Sequence, residues 1–61
     1  MTIQPDYVEV GRTAHELSER HGGFAYLYAQ KMVERADMAG DERAVAFWRA
    51  VVAALRPRNS N

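Results

Sequence analysis

The sequence predicts an all-α chain, a three-helix up-down-up hairpin or bundle completed by oligomerisation. Three observations predict it. Apolar residues recur every three or four positions rather than every second one. The turn pairs Gly22-Gly23 and Gly40-Asp41 cut the chain into three stretches of similar length, and Pro5 and Pro57 bracket the whole. Helices joined this tightly run antiparallel by default, and residues 1–61 form one small domain.

The first helix is expected over 6–21. Asp6 follows Pro5 and offers a capping oxygen, with Glu9 three residues on as in a capping box. Tyr7, Val10, Ala14, Leu17 and His21 then share one helical face. Two features compete. Thr13 and Glu16 form a second box that would start the helix later, and Gly11 inside a helix costs about 1 kcal/mol relative to alanine. Residues 7–10 also read as an extended segment, although a lone strand has no sheet to join.

Gly22-Gly23 ends this helix, because glycine permits a left-handed turn. The second helix is expected over 24–39 and carries two apolar groups. One stripe comprises Ala25, Tyr28, Ala29, Met32, Val33 and Ala36, running toward Tyr26, and its small members let a neighbouring helix come close. The other group is Phe24, Leu27 and Met38, set among Lys31, Glu34 and Arg35. Either the N-terminal segment packs this second group or another molecule does.

Gly40 closes the second helix and Asp41 caps the third, with Glu42 in the first turn where negative charge is favourable. The third helix is expected over 42–56. Pro57 cannot continue the hydrogen-bond ladder and disfavours helix at Arg56, so 57–61 reads as a frayed tail. At 100° per residue Ala44, Trp48, Val51 and Leu55 lie near one line, flanked by Phe47 and Val52. The reverse carries Ala46, Ala50 and Ala53, so this helix can be covered on more than one side.

Composition sharpens that point. A domain near this size hides only about 60% of the surface its unfolded chain exposes. The usual staples are missing from the sequence: there is no Cys, which removes disulfides and thiolate metal sites together. With 48% hydrophobic residues the chain should nevertheless fold. The narrow apolar strip of the first helix is little to cover Phe47, Trp48, Val51, Val52 and Leu55, and an exposed apolar patch marks an interaction surface. The expected partner is the chain itself, most simply as a two-fold homodimer, or another protein. The expected interface residues are Phe24, Leu27, Met38, Phe47, Trp48 and Val52.

Other chemistries fit the same residues less well. His15 and Glu19 are an i, i+4 pair with His21 beyond, but two weakly placed ligands do not make a metal site. Ser18 and Ser60 stand in no nucleophile motif, no glycine-rich phosphate loop follows a strand, and a chain this short leaves little volume for a substrate pocket. The expectation is therefore a non-enzyme with no cofactor, metal or small-molecule substrate. Charge is uneven: all eight acids lie in residues 1–42, while 43–61 hold Arg43, Arg49, Arg56 and Arg58 and no acid. These arginines define the alternative, a nucleic-acid-binding regulator using the third helix, against which the net charge of zero weighs. No run approaches the roughly 20 apolar residues of a membrane span, and Met1 is not followed by a basic, apolar leader. A cytoplasmic location without membrane contact is expected.

Residues 40–57, GDERAVAFWRAVVAALRP, resemble the ending of short uncharacterised alphaproteobacterial helical proteins. In these a Gly-Asp turn precedes an Ala-rich helix that carries Phe-Trp-Arg and closes on Leu-Arg-Pro. The resemblance covers the last third of the chain and implies no activity. The Gly40-Asp41 turn with Pro57 also resembles one tetratricopeptide hairpin. The first helix of that hairpin lacks the expected Leu-Gly-x-x-Tyr, however, Val45 stands where a small Ala belongs, and one unit cannot form an array.

Overall fold

The structure, a computed structural model, describes residues 3–56, and these are all-helical without strands. Helix α1 spans Tyr7–His21, a 3-10 turn Gly22–Phe24, α2 Ala25–Met38 and α3 Glu42–Leu55. Among the described residues no helix is long and apolar enough to cross a membrane. The tail expected at 57–61, with Arg58, lies outside the described residues.

Local chemistry accounts for each end. Asp6 is extended (φ −77°, ψ 105°) and its carboxylate accepts from the Val8 N–H at 3.0 Å, so α1 starts at the first capping signal and residues 7–10 are helical. Glu9, expected to reach back to Asp6, lies instead 3.4 Å from the Arg12 guanidinium. Thr13 starts nothing; the helix runs through it and through Gly11. A Cβ at Gly11 would meet nothing within 4 Å. Gly11→Ala should therefore stabilise the fold by about 1 kcal/mol. Thermal denaturation followed by circular dichroism would read this as a rise in Tm of roughly 4–8 °C.

The joint between α1 and α2 is longer than expected. Gly22 takes φ 56°, ψ −126°, close to the first central position of a type II′ turn, which glycine adopts without steric cost. Its N–H donates to the Ser18 carbonyl and its own carbonyl accepts from Ala25, so Phe24 belongs to the turn and not, as expected, to the second helix.

At the second joint Asp41 closes one helix and opens the next. Gly40 is left-handed (φ 71°); its N–H donates to the Asp37 carbonyl and the Asp41 N–H reaches back to Ala36, both at 3.0 Å. This is the Schellman pattern. The Asp41 side chain in turn accepts from the Ala44 N–H at 3.1 Å, capping α3. Beyond α3, Arg56 turns extended (φ −59°, ψ 129°), the backbone that a residue preceding proline prefers.

Packing is centred on α3, which lies against both α2 and α1 while those two touch each other lightly. The buried core is built from Val10, Ala14 and Leu17 of α1, Ala25 and Ala29 of α2, and Val51 of α3, the last fully buried. Three of these six side chains are alanine, which brings the helix backbones close but leaves few methylenes in the interior. Phe47, Trp48, Ala50, Val52 and Leu55 pack half-buried around that centre. The first-helix face is narrower than its periodicity implied, since Tyr7 and His21 at its ends are exposed.

Among the described residues the N-terminal segment leaves Phe24, Leu27 and Met38 exposed. Ile3 borders Val45, Ala46 and Arg49, the outer side of α3. Phe47, Trp48, Val52 and Leu55, the surplus expected on α3, are half-buried against the core cluster, and Val51 is fully buried within it.

Candidate interaction surface

Turning α2 by 100° per residue puts Leu27, Lys31, Glu34 and Met38 in one ridge, directly opposite Ala25, Ala29 and Ala36, which are buried. Burial of the alanines forces the ridge into solvent. Leu27 is 55% exposed and Met38 88%, and Phe24, one turn before Leu27, is 72% exposed. None of the three joins the core. Lys31 and Glu34 between them are exposed and, among the described residues, form no ion pair within the chain.

The six expected interface residues therefore divide. Phe24 in the turn and Leu27 and Met38 on the outside of α2 are exposed, whereas Phe47, Trp48 and Val52 pack against the core. Trp48 meets Phe47 edge to face at a ring separation of 5.2 Å, and Tyr28 at 6.5 Å and 66°. Tyr28 in turn stacks on His21 at 4.8 Å and 16°. These contacts tie the end of α1 to α2 and α3 through aromatic rings, and they occupy His21 away from the other histidine. His15 lies 3.5 Å from Glu19 on a well-exposed face.

Tyr7 and Val8, exposed at the start of α1, are further apolar side chains that the sequence reading did not assign to a surface. Val8 carried a signal, because it falls opposite Val10, Ala14 and Leu17 on the helical wheel; Tyr7 did not, because the period puts it on the core side.

Arg43, Arg49 and Arg56 are exposed, but they do not form one basic face. Arg49 and Arg56 border an open hollow of about 490 Å³ with Gln30, Val33, Glu34 and Val52. Arg49 also borders a second of about 340 Å³ that contains Asp37 and Glu42. Both hollows mix an arginine with a carboxylate. Arg43 points away from both, roughly a third of a turn around α3 at 100° per residue. Arg58 lies outside the described residues.

Compared with protein-family models, with curated proteins and with solved structures, the chain matches none.

Proposed function

We propose that the chain is a small non-enzymatic helical protein–protein interaction module, a three-helix bundle that self-associates or docks on a larger protein. One observation carries the reading: Phe24 of the turn and Leu27 at the start of α2, with Met38 at the other end of the same ridge, are exposed and outside the core. Apolar side chains on a face that the chain's own core leaves in water lose that contact with water when a partner covers them. The small, alanine-rich interior adds to the argument, since association contributes stability that so few buried methylenes do not. The nucleic-acid alternative has less behind it, because Arg43 lies about a third of a turn around α3 from Arg49 and Arg56, and the hollows that those two border are lined by carboxylates as well.

The test is sedimentation of the purified chain over a dilution series, paired with melting curves at the same concentrations. The expected result is a mass that falls on dilution and a Tm that rises with chain concentration. A single monomeric species with a concentration-independent Tm removes self-association. Titration with duplex DNA at low and moderate salt should give no salt-sensitive binding.

A further inference from the structure

We infer that the α2 ridge is covered by α2 of a second copy of this chain, antiparallel across a two-fold axis level with the midpoint between positions 32 and 33. This rests on the proposal that the chain associates through its exposed apolar side chains, and it names the face, the occupant and the register.

The ridge residues Leu27, Lys31, Glu34 and Met38 are separated by four, three and four positions, the alternation along which two helices pack knobs into holes. A two-fold axis at that midpoint sets Leu27 opposite Met38 of the second copy. The same register sets Lys31 opposite Glu34, and symmetry makes each pairing occur twice. Phe24, one turn beyond Leu27, then falls beside the same Met38, in reach of the sulfur–aromatic contact that methionine makes well. The resulting interface has an apolar cluster at each end and two ion pairs between them.

Competing arrangements match less well. A parallel pair sets Lys31 against Lys31 and Glu34 against Glu34. Sliding the antiparallel pair by one ridge position opposes Leu27 to Glu34 and Lys31 to its own copy, or Lys31 to Met38 and Glu34 to its own copy, so like charges meet. One register satisfies both the charges and the apolar residues, and it is self-complementary, as a closed two-fold dimer requires and an unrelated partner does not. Lys31 and Glu34 are exposed and, among the described residues, in no ion pair within the chain, although Glu34 borders the hollow that Arg49 and Arg56 also line.

Charge reversal tests the register. Lys31→Glu and Glu34→Lys should each raise the dimer dissociation constant roughly tenfold, by putting like charges opposite one another. An equimolar mixture of the two variants should form heterodimers, and the double variant should associate within about threefold of the parent. Both positions are exposed, so the circular dichroism of the dilute variants should match that of the parent.

Cross-linking supplies an independent reading, since the sequence has no cysteine. A mixture of Leu27→Cys and Met38→Cys chains should oxidise to a disulfide-linked pair. Leu27→Cys alone should not, because its two copies lie about 16 Å apart along the helix at 1.5 Å per residue. A parent chain that dimerises while the single charge variants dimerise equally well, or while Leu27→Cys links to itself, overturns the register and leaves self-association standing. A parent chain that stays monomeric at the highest concentration overturns both.

Discussion

Val51→Asp should unfold the chain: at 25 °C its far-ultraviolet circular dichroism should lose the helical signature that the parent shows under the same conditions. Val51 is fully buried and packs among Val10, Ala14, Leu17, Ala25 and Ala29, none of which offers a side-chain hydrogen bond. Removing the valine gives up about 1.5–3 kcal/mol of apolar burial. Burying a carboxyl group without a partner costs roughly 2–7 kcal/mol more, whether or not the group takes up a proton. At about 0.05–0.15 kcal/mol per residue, a chain of 61 residues holds roughly 3–9 kcal/mol of stability in total. Val51→Ala, which deletes two methyl groups and adds no polarity, should cost only about 2 kcal/mol and leave a folded chain with a lower Tm. If Val51→Asp retained a cooperative melt near the parent's, α3 would not be the centre of the core.

That centre was legible because Val51 lies on the line through Ala44, Trp48 and Leu55, and a wheel at 100° per residue locates such a line directly. Helix ends were legible for a different reason. Asp6, Gly22, Gly40 and Asp41 act through hydrogen bonds and backbone angles within a few residues of themselves, so tertiary context has little power to move them. The 3-10 turn escaped notice because it depends on the ψ value of Gly22, and sequence states only that glycine tolerates positive φ.

The candidate surface was half legible. Leu27 and Met38 stand among charges on the side of α2 away from Ala25, Ala29 and Ala36, and the pattern separates the two groups. Phe47 and Val52 were harder to place. They flank the buried line of α3, and whether a flank is wet depends on what lies beside it. Here both pack half-buried against the core cluster, which depends on how closely α1 and α2 approach and not on the spacing within α3.

Trp48→Ala should lower the stability of the monomer by about 3 kcal/mol, the low end of the range for truncating a core tryptophan, because the side chain is half-buried rather than enclosed. The loss has named sources. The indole packs on the core cluster and meets Phe47 and Tyr28 edge to face, so truncation removes its apolar contact and frees both rings at once. Trp48→Phe keeps a ring in place and should cost about half as much. Urea denaturation at low chain concentration is the measurement, and in the parent the single tryptophan reports on the transition by fluorescence. The discriminating comparison is with Leu27→Ala, which removes an exposed side chain of the α2 ridge. Its stability at high dilution should stay within about 0.5 kcal/mol of the parent, while its association weakens. Destabilisation at every concentration for Trp48, against weakened association alone for Leu27, is what separates a core residue from a contact residue. The reverse pattern would put the docking surface on α3 and seat Leu27 in the interior.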